Sequence, residues 1–155
     1  MTDQPQPGDQ PRIVTASAEV AAPAAEIFEL IADPAQQPRW DGNDNLGSAA
    51  EGQRVRALGE VFRMTLTKGS VRENHVTVFE EGRSIAWRPS PEGEPTPGHE
   101  WRWDLVDLGD GRTRVTHTYD WTDLEDEARI VKARATTSAK LQASVDRLAA
   151  LVEGR

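Results

Sequence analysis

Cysteine is absent. Disulfides, thiol nucleophiles and thiolate metal sites are therefore excluded. Basic clusters are also missing: 18 Lys and Arg stand against 26 Asp and Glu, for a formal net charge of −8. A nucleic-acid binder would normally carry a basic face, so neither nucleic acid nor an anionic membrane surface is an expected partner. No apolar run approaches the roughly 20 residues of a membrane-spanning helix. The first residues, MTDQPQPGDQPR, hold neither the basic nor the apolar region of a secretory signal, and the expected location is the cytoplasm. His75, His99 and His117 lack the paired spacing of metal ligands, and no Gly-rich phosphate loop runs from a strand into a helix. No metal and no cofactor is expected. Tyrosine occurs once and phenylalanine three times, yet tryptophan occurs five times.

A chain of 155 residues suits one domain with a substantial core. Residues 1–11 hold Pro, Gln, Asp and Gly, and are expected to form a disordered tail, with a single domain over 12–153. From Arg12 to Ala21 the chain alternates, with Val14, Ala16, Ala18 and Val20 as the inward set of a strand. Pro23 suits a first helical position, and Ile27, Phe28, Leu30 and Ile31 give an apolar stripe that Asp33-Pro34 ends. A second short helical turn is expected over Gln36–Trp40, followed by the turn-rich stretch Asp41–Asn45.

Strands are expected at 46–50, 53–58, 61–67, 71–79, 84–88, 99–108 and 113–120. Gly59 reads as a bulge, Lys68-Gly69 and Glu81-Gly82 as tight turns. Pro89–Gly98 is Pro-rich and reads as a loop rather than a strand, long enough to serve as a lid. A three-residue loop at Gly109-Asp110-Gly111 pairs Leu108 with Arg112, Leu105 with Val115 and Trp103 with His117. Trp101, Trp103, Leu105, Val115, His117 and Tyr119 then share one face. By the same alternation Phe62, Met64 and Leu66 fall together, as do Asn74, Val76 and Val78, and Ile85 with Trp87. Arg72 shares the parity of Val76, at or beyond the strand's start.

The C-terminal stretch, Thr122 to Glu153, reads as one long amphipathic helix. Thr122-Asp123-Leu124-Glu125 spells a capping box, and acidic residues crowd the positive end of the helix dipole. The apolar stripe is firm from Leu141 to Val152. Between Ala133 and Ala139 small residues replace larger ones, which suits either close packing on the sheet or room for a ligand.

These stretches together resemble the START-like, or SRPBCC, superfamily and its helix-grip fold, an α+β arrangement of a curved antiparallel sheet around a long C-terminal helix. More narrowly, the chain is similar to bacterial polyketide cyclase/dehydrase-like proteins. The resemblance rests on Val20–Phe28, Pro38-Arg39-Trp40, Ile85-Ala86-Trp87, Trp103-Asp104-Leu105 and Gly111–Thr116, and runs from about Ile13 to Leu151. It implies a cavity between sheet and helix that binds a small hydrophobic or aromatic molecule. It carries over no catalytic residue, since the matching motifs are structural.

Candidate lining residues are Trp40, Phe62, Met64, Leu66, Asn74, Val76, Val78, Trp87, Trp101, Trp103, His117 and Tyr119 on the sheet side. Ala133, Thr137 and Leu141 are the candidates on the helix. The tryptophans offer flat surfaces for stacking on rings. Asn74, with Arg72, can hold a ligand's polar end. His117 and Tyr119 are the candidate catalytic pair, His117 as general base and Tyr119 polarising a carbonyl, as a cyclase or dehydratase would require. Three readings follow: a small-molecule binder, a cyclase or dehydratase, and a partner-binding module resembling a co-chaperone. The ligand and the oligomeric state are not written in the sequence.

Overall fold

A computed structural model describes residues 12–154, so the tail expected over 1–11 lies outside the described residues. The elements run β1 Ile13–Val20, α1 Ala24–Ala32, α2 Gln37–Trp40, β2 Leu46–Ser48, β3 Val61–Leu66, β4 Val71–Glu80 and β5 Ser84–Pro91. They continue with β6 Glu100–Gly109, β7 Arg112–Asp120, α3 Glu127–Arg134 and α4 Ser138–Glu153. Seven antiparallel strands form one sheet, ordered β1-β7-β6-β5-β4-β3-β2. This is the helix-grip fold: a curled meander whose first strand closes beside its last, with α4 lying over β1 and β7 and α1 over β6.

The β6–β7 hairpin has the expected pairing, with Leu105 opposite Val115 and Trp103 opposite His117. Its turn differs. Gly109 pairs with Arg112, so the loop has two residues, Asp110 and Gly111, both at positive φ (55° and 73°). The ladder slips by one residue between Asp107 and Gly109. That bulge at Leu108 absorbs the extra residue and keeps the apolar sets facing each other.

A second bulge overturns an expected facing. Between Val76 and Val78 the β4 register shifts, so Val76 pairs with Trp87 but Val78 pairs with Ala86. Val78 therefore lies on the outer face, and Phe79 turns inward to meet Phe28 at 5.8 Å. Arg72 lies inside β4, between Met64 and Pro91. Leu66 is half-buried at the β2 edge, opposite Leu46. Residues 53–58 form no strand; Val55 instead donates its N–H to the Ala32 carbonyl and buries its side chain. β5 runs through Pro89 and Pro91, which the Pro content argued against. Beyond Trp87 it pairs with β4 alone, so an imide nitrogen can face the unpaired side.

The single C-terminal helix is in fact two. Thr122 does not cap it, because Asp120 Oδ1 accepts both the Thr122 N–H (2.9 Å) and its hydroxyl (2.6 Å). Asp126 caps α3 instead, accepting from Ala128 and Arg129. The break follows from two threonines. Thr136 bonds its hydroxyl back to the Lys132 carbonyl, and Thr137 takes extended dihedrals and caps α4 through Lys140 N–H. From there Leu141, Val145, Leu148 and Ala149 are buried on the sheet. Each such side chain contributes roughly 1–3 kcal/mol of apolar burial.

The α2–β2 connection is clamped to α4. Asp41 accepts three backbone N–H groups, from Asn43, Asn45 and Leu46, and its own carbonyl accepts Arg147. Gly42 donates to Ser144 Oγ at 3.0 Å. A Cβ on Gly42 would lie 2.6 Å from the Ala143 carbonyl carbon, which is backbone and cannot yield. Gly42→Ala is accordingly expected to cost about 1–3 kcal/mol by forcing the loop from α4. Thermal unfolding followed by circular dichroism checks this, and an unchanged midpoint would refute the close approach.

Candidate functional site

The inner face of the sheet carries an aromatic slab. Trp103 stacks on His117 with ring centroids 3.8 Å apart and an interplanar angle of 14°. Trp101 stacks on the same imidazole at 5.6 Å and meets Tyr119 at 4.3 Å. Trp40 abuts Trp103 edge-on at 5.1 Å, and Phe62 abuts Trp87 at 5.3 Å. This follows from the strand register, since residues paired across β6 and β7 sit side by side on one face. Trp40, Phe62, Val76, Trp87, Trp103, His117, Tyr119 and Leu141 are all buried. Trp40 also donates its indole N–H to the Leu30 carbonyl at 2.8 Å, which pins it as a wall.

His117 is enclosed by its neighbours. Its Nδ1 lies 2.9 Å from the Arg102 carbonyl. A carbonyl only accepts, so Nδ1 carries the proton and Nε2 keeps a lone pair. Burial outweighs that hydrogen bond and lowers the pKa to about 4. At neutral pH His117 is therefore a neutral imidazole. Burial also holds the Tyr119 phenol protonated, its pKa pushed up to about 12.

Toward the other end of the face lie polar groups that nothing satisfies. Asn74 is 5 % exposed, and among the described residues its side-chain amide has no hydrogen-bond partner. Among the described residues the buried Nδ1 of His99 is unpaired, as is the buried Nε1 of Trp103 back in the slab. His99 lies against Tyr119, with ring centroids at 6.0 Å. Its pKa is lowered to about 4, first by burial and then by the nearby charges of Arg129, Arg72 and Arg88. Trp101 is only half-buried here, and Met64 is buried beside Arg72.

Two open clefts border this core. One, about 290 Å³, lies at the α3–α4 break between Val14, Trp121, Ala133, Arg134 and Thr137. The small-residue stretch thus borders open space, but it faces Val14 and Trp121 rather than the Trp101–Trp103–His117–Tyr119 wall expected opposite it. The other, about 310 Å³, lies beside Arg54 and Phe62. Sequence reasoning missed Trp121, although continuing the β7 alternation one step past Tyr119 would have found it. It passed over His99 except as a possible metal ligand. Among the described residues no group of His, Asp and Glu is arranged to hold a metal ion. No helix among them is long and apolar enough to cross a membrane.

With this geometry, the molecule falls in the class of helix-grip proteins whose sheet and C-terminal helix face each other across an aromatic interior. The chain belongs to the family described as polyketide cyclase / dehydrase and lipid transport, whose profile matches residues 11–153. An uncharacterised protein of Mycobacterium tuberculosis is 33% identical over 114 residues, 72% of this chain. The chain spans about half (48%) of that curated relative's length. Among solved structures, a protein of Mesorhizobium loti superposes with a TM-score of 0.69 at 13% identity, covering 92% of this chain and 98% of its own. DynU16, a protein of the dynemicin biosynthetic locus, superposes with a TM-score of 0.64 at 22% identity, covering 93% of this chain and 48% of its own. At these identities the two structures show a shared fold.

The depressed pKa of His117 makes stability depend on pH. The unfolded imidazole takes up a proton below about 6.5, while the folded one stays neutral to about 4. Folding stability attributable to His117 is therefore full above pH 6.5, falls as pH drops from 6.5 to 4, and levels off below, a loss of about 3 kcal/mol. His117→Gln, which keeps a donor for the Arg102 carbonyl but does not titrate, is expected to reduce the slope of this part of the denaturant-unfolding profile, leaving the share of His99, whose pKa is lowered to the same value. An unchanged slope would show that His117 is not held neutral.

Proposed function

We propose that this protein binds a small hydrophobic or aromatic molecule on the inner face of its sheet, at the end formed by Met64, Asn74, Trp87, Trp101 and Tyr119. The observation that carries the reading is the pairing of opposites there. Rigid aromatic surface lies beside polar groups, the Asn74 amide and the buried His99 Nδ1, that have no hydrogen-bond partner among the described residues. A buried polar group without a partner costs about 1–3 kcal/mol, and a ligand's polar atoms are one way to recover it. The family description, which joins polyketide cyclisation with lipid transport, fits a cargo of this kind. DynU16, a protein of the dynemicin biosynthetic locus, has the same fold.

Binding is favoured over catalysis by a specific property of His117. A general base works best when its pKa lies near the working pH. An imidazole neutral down to about 4, stacked with Trp103 and Trp101, is a weak proton acceptor and a good stacking surface. The buried α4 stripe and the enclosed aromatic slab then serve as the rigid back wall of the site. Nothing in the geometry singles out the co-chaperone reading.

Titration with polycyclic aromatic and medium-chain aliphatic compounds, followed by tryptophan fluorescence, is expected to give saturable quenching. Trp101→Ala is expected to weaken it about ten-fold or more, since one stacked ring contributes roughly 1–3 kcal/mol. Saturable quenching that Trp101→Ala leaves untouched would move the site elsewhere. A flat response across the panel would overturn ligand binding.

A further inference from the structure

The inner face of β4 carries one arginine. Arg72 shares its face with Asn74 and Val76, and sits between Met64 of β3 and Pro91 of β5. Cations near it are matched by carboxylates. Arg88 pairs with Asp123 at 2.9 Å and Glu100 at 3.6 Å, and Arg129 pairs with Asp126 at 3.6 Å. Arg63, its diagonal neighbour on the outer face, pairs with Glu73 and Glu92. Arg72 has no carboxylate partner among the described residues, and its guanidinium reaches only its neighbour's carbonyl, Val71 O, at 3.5 Å. In a chain of net charge −8, a half-buried guanidinium on the concave face without a carboxylate is out of keeping with its surroundings.

Three neutral polar groups lie on the same face. The Asn74 amide follows two residues along β4, and is buried without a partner. His99 lies two residues before Trp101, whose strand partner is Trp87, while Asn74 pairs with Pro89, two residues beyond Trp87. The rows of the sheet thus bring Asn74 and His99 to the same level, with Pro89 between. The Tyr119 hydroxyl adjoins the His99 ring and also has no hydrogen-bond partner among the described residues. Asn74 and Tyr119 can each donate a hydrogen bond, as can His99 in its Nδ1–H form. Arg72 adds a planar fork of N–H groups that matches a carboxylate.

We propose that the ligand carries a carboxylate: Arg72 binds it as an ion pair, Asn74 and His99 donate to its oxygens, and the hydrocarbon body lies along Met64, Trp87 and Trp101. This rests on the inner-face binding site and adds the charge of its occupant. A neutral ligand would leave Arg72 half-desolvated and uncompensated, whereas a carboxylate neutralises it where water is partly excluded. The contrast with the cleft at the α3–α4 break is chemical. There Arg134 is exposed to solvent, and loss of a charge partner costs it little.

The test uses matched pairs of aromatic and medium-chain aliphatic carboxylic acids and their primary amides, titrated by calorimetry at neutral pH into the full chain. Acids are expected to bind at least about ten-fold more tightly than their amides. Arg72→Met, which keeps the side chain's length and apolar contacts, is expected to abolish that preference while leaving amide affinity within about two-fold. Arg72→Lys is expected to restore part of it. Circular dichroism confirms that each variant is folded. If acids and amides bind equally, or if Arg72→Met keeps the preference, the carboxylate assignment is wrong while the binding site stands. If neither class binds at all, the binding site falls with it.

Discussion

The stacking of Trp103 on His117 is the contact on which the interior depends. It requires β6 and β7 to pair in one register, and that register sends Trp101, Leu105, Val115 and Tyr119 to the same face. A slip of one residue would turn all of them to solvent and bring Arg102, Asp104, Arg114 and Thr118 inside. The bulge at Leu108 is how the chain keeps the register while closing the hairpin with the two-residue Asp110-Gly111 turn. Once the register is set, Trp40 and the helices have a flat surface to meet. The loop 41–46 is then fixed by Asp41 and by the close approach of Gly42 to α4.

The same slab divides the inner face into two ends. One end is filled by α1, where Ile27, Phe28 and Ile31 are fully buried and Arg54 bridges Glu29 and Glu81 above Phe28. The other end, where Met64, Asn74 and Trp87 are also buried, is more polar. There, among the described residues, Arg72 has no carboxylate partner, and the Asn74 amide, His99 Nδ1 and the Tyr119 hydroxyl have no hydrogen-bond partner, beside a loop tied down by the Glu73 bond to Gly93 N–H and by the tight fit of Gly98 against Asp123. A stable core does not need uncompensated polar groups, and apart from the Trp103 indole N–H in the slab, those named here lie at this end. That asymmetry is the physical basis for placing a ligand at this end rather than at the centre of the slab.

Much of this was legible in the sequence, for identifiable reasons. Period-two alternation exposed the facing of β1, β6 and β7, and the hairpin pairing followed from matching apolar sets. Bulges were not legible. Thr77 lies in an unbroken β-forming run, so nothing local announced that Val78 would turn outward and Phe79 inward. The split of the C-terminal helix was partly legible. The weakened stripe from Ala133 to Ala139 marked the place, but the decisive competition lay in side chains. Asp120 takes the Thr122 donors, and Thr137 caps a new helix. The strand character of Pro89 and Pro91 was hidden because an unpaired edge is a property of the whole sheet. Arg72 and His99 belong together only through the β3–β4–β5–β6 register, which a reading of each segment by itself does not reach.

Ligand binding at the polar end of the inner face is tested most directly by following the five indole N–H signals by 15N-edited NMR while an aromatic carboxylate is added. The tryptophans mark three parts of the molecule: Trp40 and Trp103 the slab, Trp87 and Trp101 the polar end, Trp121 the cleft at the helix break. Trp101 and Trp87 are expected to shift with a common saturation curve while Trp121 stays in place. Shifts confined to Trp121 would put the ligand in the cleft between β1 and the α3–α4 break, and would contradict it.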